Sequence, residues 1–428
     1  MGEIASLNHK PMIGEGLYYG SMAFLLVISS FSYILSNLSG VDERIVNMGF
    51  IALIFYFNIL VAGVNGLHIP GRFVPVYILF FILFWMTAVS IAKNSLSEWA
   101  PSFLRFFGYL LVLYNSWYLA KRGRSSFRVV DLAVMLMLIV AVLGGLWEIA
   151  TGSVQFKNGA YRVAGHFNHH QLGYALLLFV LCGYMLNVTL KRPLDPLFRL
   201  FARFLFLSGL VFMLLARSRM LTIAFFASLY AAHLLAGRSF LKKLRVIIAG
   251  GAVLSGLVYT ILNTDLFPRL KELFSMEELD PSTNYRLTII QDSFQGLSSS
   301  EFWTGIGMGG FNEFFYEISG VLGVAAHNDY LLMFVEGGVF ALFFYVVYQI
   351  WTVFFLRKRV MYVRYDVDDR LVFGIGLATL MNFTGVEIMG FLLNAHYFFH
   401  SEFLIMLIAG IFLGKQAGLK GGYDRQAG

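Results

Sequence analysis

Apolar runs of about 20 residues alternate with short polar breaks along nearly the whole chain, and none of the runs shows a strict two-residue alternation. A bilayer's hydrocarbon core is roughly 30 Å thick and asks for about 20 apolar residues per helical crossing. Backbone polar groups in lipid need partners within the segment or in a closed barrel, and without the alternation helices remain. The pattern predicts twelve transmembrane helices, near residues 17–36, 45–66, 73–92, 101–120, 130–150, 171–189, 200–216, 219–236, 245–262, 329–356, 371–391 and 396–414. The expected fold class is an all-α polytopic integral membrane protein. Residues 1–262 would hold the first nine spans, 263–328 one large extracytoplasmic loop with short helices, and 329–428 the last three spans and a tail.

Composition agrees with this reading. Only 13% of the 428 residues are charged, while 58% are hydrophobic and 17% aromatic, too few polar groups to clothe a soluble globule of this size. No repeat, low-complexity tract or soluble domain interrupts the pattern. The first apolar run follows Glu3, Lys10 and Glu15 and exceeds a signal-peptide core, which predicts a retained anchor. Cys182, the single cysteine, lies in the sixth expected span and excludes an intrachain disulfide or a multi-cysteine metal site.

Charge sets the orientation. When the loops are taken alternately from the N-terminus, one set carries 22 of the 32 Lys and Arg, including those of "KRGRSSFR" (121–128), "GRSFLKKLR" (237–245) and "RKRVMYVRYDVDDR" (357–370). Loops rich in Lys and Arg stay in the cytoplasm, so both termini are predicted there. The formal charge of +7 needs no nucleic-acid partner, since it follows from topology and from attraction to anionic membrane lipid.

The long loop on the opposite side is too long for a structureless connector. In "DLFPRLKELFSMEEL" (265–279) the apolar residues fall at helical spacing, which predicts an amphipathic helix on the membrane surface. A second helix is expected after "DPST" (280–283), with Arg286 in its first turn, where free amides and the helix dipole favour an anion. The glycines of "GIGMGGF" (305–311) would let the backbone approach a neighbour closely, and "AHNDYL" (326–331) puts His327, Asn328 and Asp329 directly before an apolar run.

Taken in order, "RVAGHFNHHQLGYALLL" (162–178), "ARSRM" (216–220), "YRLTIIQDSF" (285–294), "GIGMGGF" and "AHNDYLLMFVEGGVFAL" (326–342) resemble the O-antigen ligase and polymerase superfamily of bacterial envelope proteins. The resemblance spans roughly residues 160–345. It implies an inner-membrane glycosyltransferase that moves a glycan from undecaprenyl diphosphate to an acceptor hydroxyl on the periplasmic face, with no cofactor. The acceptor would be a lipid A core, a growing glycan or another hydroxyl.

The residues suit that chemistry. Arginine offers a permanent charge and a planar fork for phosphate oxygens, which makes Arg219 and Arg286 candidates for the diphosphate, with Arg217 in reserve. Histidine titrates near neutrality, so His327 would take the acceptor's proton as that hydroxyl attacks the anomeric carbon with inversion. Asn328, Asp329, Glu336, His166 and Asn168 are expected to orient the imidazole or to touch sugar, and no obligatory metal is expected.

Plainer roles compete with each assignment. A histidine at a helix entrance is commonly interfacial, the arginines could anchor to headgroups or lie on a solvated face, and "FNHH" (167–170) could simply contact headgroups or sugar. Glu148, Glu336 and Glu387 lie in or near apolar spans, where a carboxylate is costly, yet helix-packing hydrogen bonds would also account for them. The competing function is a membrane transporter of a sugar or other solute, which should show internal repeats and broken helices around a midplane site.

Overall fold

A computed structural model describes residues 14–66, 74–121, 126–157, 160–163, 177–178, 180–181, 196–216, 218–236, 240–263, 281–321, 323–364, 369–390 and 399–426. Their helices in chain order are α1 (Glu15–Ser29), α2 (Ser32–Ser39), α3 (Glu43–Asn65), α4 (Val74–Lys93), α5 (Leu96–Ala120), α6 (Ser126–Thr151), α7 (Pro196–Leu215), α8 (Arg219–Ala236) and α9 (Phe240–Asn263). After them come α10 (Pro281–Gly296), α11 (Ser299–Thr304), α12 (Phe311–Ser319), α13 (Asp329–Tyr362), α14 (Arg370–Gly390) and α15 (Phe399–Gln426). Between α6 and α7 two short antiparallel strands, β1 (Gln155–Lys157) and β2 (Ala160–Arg162), form a hairpin.

Helices therefore carry the architecture, and six of the described ones are long and apolar enough to cross a membrane, in α3, α4, α6, α13, α14 and α15. This is an all-α membrane protein. The expected run 17–36 is divided between α1 and α2: the Ser29 and Ser30 hydroxyls bond back to the Leu26 and Val27 carbonyls, competing with the helix ladder at the break. Most of the run 171–189, together with 265–279, lies outside the described residues.

Burial distinguishes central helices from outer ones. The spanning windows of α14 and α15 are 83% and 72% buried, against 28% in α4, so α14 and α15 form the axis around which the others pack. Gly376 of α14 and Phe412 of α15 meet face to face, and Gly410 and Gly414 let α15 lie on the α5 backbone. Small residues that permit such close approach replace the hydrophobic drive that lipid removes. A polar network ties α1 to α3 and α5: the Tyr18 hydroxyl donates to Asn58 Oδ1 (2.8 Å), Asn115 Nδ2 donates to the same oxygen (3.0 Å), and the Tyr19 hydroxyl donates to Ser116 O (2.9 Å).

The helix that opens after His327 is not one straight span. At Gly338, φ is 70° and ψ −174°, and the chain folds back on itself there. The Tyr330 hydroxyl donates to Gln349 Oε1 at 2.6 Å, and the Tyr330 and Tyr345 rings lie 5.4 Å apart. A straight helix would hold residues 330 and 349 about 28 Å apart. The expected span 329–356 thus consists of a short limb, 329–337, and a long one, 339–362, lying side by side.

The short limb is shared between two cores. Leu331, Leu332, Phe334 and Val335 join Ile289, Phe311, Phe314 and Phe315 in a small core that belongs to the loop helices. Met333 instead joins the main core, and Tyr330 packs against it. The loop therefore has its own hydrophobic centre and grips one face of the limb, while the bundle holds the other.

Candidate active site

The fold-back creates a socket that the glycine motif fills. Where the helix breaks, the Val335 and Glu336 carbonyls accept from Ile306 N (3.0 Å) and Gly307 N (2.9 Å), and the Gly337 carbonyl accepts from Trp85 Nε1 (2.9 Å). Gly305, Gly307 and Gly309 all have positive φ (79°, 100° and 81°), and a Cβ on them would strike the Glu336 carbonyl, the Asn94 amide and the Glu98 carbonyl respectively. Side chains of α4 complete the clasp. Ser90 Oγ accepts from Met308 N (2.7 Å), Asn94 Nδ2 donates to Met308 O (3.3 Å), and Lys93 Nζ donates to Gly305 O (3.0 Å) while pairing with Glu301 at 3.5 Å. The glycines thus let this backbone thread between α4, α5 and α13.

The clasp sets the start of the short limb. Asn328 is its N-cap, the side-chain oxygen accepting from Tyr330 N (2.8 Å) and Leu331 N (3.0 Å). One residue earlier, His327 has φ 52°, the one positive value among the described non-glycine residues. Such a backbone costs about 1–3 kcal/mol and persists where the surroundings dictate it. His327 is half-buried, and burial, followed by the nearby Arg286 charge, pushes its pKa below the ordinary 6.5. Both causes favour a neutral imidazole, which is the form a base needs. The helix α10 begins at Pro281, inside the expected "DPST" break, so Arg286 stands in its second turn rather than the first, beyond the free amides, and α10 lies against the loop core through Ile289.

Asp329 is fully buried against α14, where a Cβ on Gly390 would lie 2.8 Å from Asp329 Oδ2. One turn before Gly390, Glu387 accepts from Gln349 Nε2 and, at 3.5 Å, from the Tyr345 hydroxyl. Glu336 is buried at the fold-back, and Glu148 near the end of α6. Beside the short limb lies a partly open, largely apolar pocket with Met86, Met308, Met333, Tyr345, Glu387 and Glu402 in its walls. The sequence reading missed Glu402, although a carboxylate inside "FLIMLIAGIF" and its flanks is a legible signal. It also missed Tyr330 and Gln349, whose partners only the fold reveals.

Arg219 opens α8, and Ser228 of that helix lies opposite Gly385 of α14. The Leu235 carbonyl near the other end of α8 accepts from Arg357 Nε of α13 (3.1 Å), while α13 meets Phe383 and Glu387 of α14 earlier, at Tyr348 and Gln349, so α8 and α14 run antiparallel and the α8 start stands toward the end of α14 that meets Asp329. The Arg219 side chain, Arg217, His166 and Asn168 lie outside the described residues.

Residues 204–346 match the model of the O-antigen ligase family. No curated protein matches the chain. The O-antigen ligase match runs from α7 into the long limb of α13, and so takes in the loop, all three candidate arginine positions, the glycine clasp and His327. The match covers a third of the chain, and over those residues it supports the resemblance to the O-antigen ligase and polymerase superfamily. Outside the O-antigen ligase match lie the carboxylates of α14 and α15 and the polar network of α1.

Proposed function

We propose that this protein transfers a glycan from undecaprenyl diphosphate to an acceptor hydroxyl, with inversion, at the periplasmic face of the bacterial inner membrane, its termini lying in the cytoplasm. The observation that carries the reading is the half-buried His327 at the head of the short limb, its imidazole kept neutral by burial and then by the nearby Arg286 charge. The acceptor oxygen attacks the anomeric carbon and its proton passes to His327. The bond from that carbon to the diphosphate oxygen breaks, and the departing electron pair stays on the diphosphate. Arg286 and Arg219 offset the growing negative charge, with Arg217 in reserve. Asn328 caps the limb, while Asp329 and Glu336 brace it and His166 and Asn168 contact sugar.

One observation favours the transporter alternative, namely the broken helix at Gly338. Yet the opened carbonyls at that break accept from Ile306 and Gly307 of the same chain, so no solute is needed to satisfy them. The deciding experiment is incubation of purified protein with undecaprenyl-diphosphate glycan and candidate acceptors. Lengthened glycan identifies a polymerase and a capped lipid A core a ligase. Absence of any new glycosidic bond, alongside uptake of free sugar into proteoliposomes, rejects the enzyme reading.

A further inference from the structure

We infer that Tyr330, Gln349 and Glu387 are positioning residues that hold His327 at its working place by latching the short limb of α13 to the bundle. The inference rests on the base role proposed for His327. Tyr330 lies three residues after His327 and is the first side chain of the limb to reach across the fold-back, donating to Gln349 Oε1 at 2.6 Å. Gln349 turns its amide to Glu387 of α14, and the Tyr345 hydroxyl points at the same carboxylate oxygen. The chain from Tyr330 to Gln349 to Glu387 thus joins the short limb, the long limb and the central helix. Three residues beyond Glu387, Gly390 packs on Asp329, so α14 fixes the limb at two adjacent residues, Asp329 directly and Tyr330 through Gln349.

On the bundle side Trp85 holds the far end of the limb at the Gly337 carbonyl, and the latch holds the end next to His327. The opposite face of the limb is held by loop side chains, Phe334 stacking on Phe294 at 4.7 Å and meeting Phe302 edge-on at 5.3 Å. Those contacts are apolar and non-directional, and the loop's directional hold on the limb, from Ile306 and Gly307, is at its far end, at Val335 and Glu336. A hydrogen-bonded chain in a low-dielectric interior fixes both distance and direction. His327 has no helix of its own to stiffen it and sits at a strained φ, so a small sliding of the limb would carry the imidazole away from Arg286. A displacement of about 1 Å is enough to lower a rate by about a hundredfold.

The test uses the full-length protein in detergent, with Tyr330→Phe, which removes one oxygen, and Gln349→Met, which keeps length and removes both polar atoms. Carbethoxylation of His327 by diethyl pyrocarbonate, followed by peptide mass spectrometry across pH, gives the titration midpoint of this one histidine independently of transfer. The charged group acting on it is Arg286 of α10, while Glu387 of α14 and Asp329 act on the neighbouring Tyr330. Release of the latch lets the ring gain water and leave Arg286, so its midpoint should rise by about half a pH unit or more, with turnover down about tenfold or more and donor KM little changed. Tyr114→Phe, which loses a comparable bond to Gly66 O (2.8 Å) elsewhere, should leave the midpoint unmoved.

If both latch variants keep the wild-type midpoint and turn over within a few fold of wild type, the inference is overturned. A loss of folded protein without a shifted midpoint in the surviving fraction overturns it equally. Should His327→Ala retain transfer, the base assignment fails by itself, and the chemical titration still decides whether the latch places the ring.

Discussion

Replacing Gly338 by alanine tests the fold-back directly. Its backbone, at φ 70° and ψ −174°, lies in a region open essentially only to glycine, and forcing a side chain there costs about 1–3 kcal/mol. A Cβ would also lie 2.7 Å from Gly305 N and closer still to the Trp303 carbonyl, both backbone atoms that cannot rotate aside. Overpacking of that kind adds about 1–3 kcal/mol. The total, about 2–6 kcal/mol, is a large part of the roughly 5–15 kcal/mol that holds typical domains folded. Gly320→Ala serves as the reference, since Gly320 also has positive φ (71°) but nothing within 4 Å of a Cβ. Thermal melts in detergent and glycan-transfer assays on both variants separate strain from collision. Gly338→Ala should melt clearly below Gly320→Ala and lose transfer. Equal melting points with retained activity would refute the view that this corner holds the short limb in place.

Other expectations concern the chemistry and the setting. His327→Ala and His327→Gln should lower single-turnover transfer by about 10²- to 10⁴-fold, and since burial and Arg286 depress the His327 pKa, the wild-type rate should persist below pH 6.5 and fall only as the ring protonates at lower pH. Arg219→Lys, which keeps charge but loses the fork, and Arg286→Ala should each reduce transfer clearly in protein that inserts normally, and near-wild-type rates for both Arg219→Ala and Arg286→Ala would remove them from the donor site. Ser90→Ala should lower stability by about 1–3 kcal/mol, because the buried Met308 amide loses its acceptor, as a denaturant or thermal series would measure. A reporter fused after residue 300 should behave as periplasmic.

The positions of the helices were largely legible because the signal is local: α3, α4, α13, α14 and α15 fall where apolar runs of spanning length lie. The shape of α13 was not. Hydropathy sums over residues 329–356 without registering that one glycine adopts positive φ, and the partners that stabilise the break, Ile306 and Gly307, lie about 30 residues earlier in the chain. The same blindness explains the glycine motif. Its type predicts close approach, but only the fold shows that the neighbours are the backbone of Glu336 and Glu98 and the side chain of Asn94. For the candidate site, His327 and Arg286 stood out from their context, and in the fold the Arg286 charge acts on that imidazole. Gln349 and Tyr330 carried no warning, since a glutamine and a tyrosine in an apolar helix become meaningful only once the helix is folded in two.

The tyrosines of α1 bear on how the protein is made. Tyr18 and Tyr19 find their partners on Asn58 of α3 and Ser116 of α5, and the latter is synthesised 98 residues after Tyr18. At roughly 5–20 residues per second the ribosome needs about 5–20 s to supply it. The Asn58 acceptor of Tyr18 follows it by 40 residues, but for almost the whole interval the Tyr19 phenol lacks its final acceptor, so lingering at the lateral gate of the translocon, where water and protein can solvate it, is favoured over release into lipid. Glu15 waits longer still, for Lys415 near the other end of the chain, 3.8 Å away in the finished protein. The N-terminal helix is thus the first to be born and among the last to be seated, and a nascent chain arrested before residue 116 should leave it extractable from the membrane, while one arrested well beyond should not.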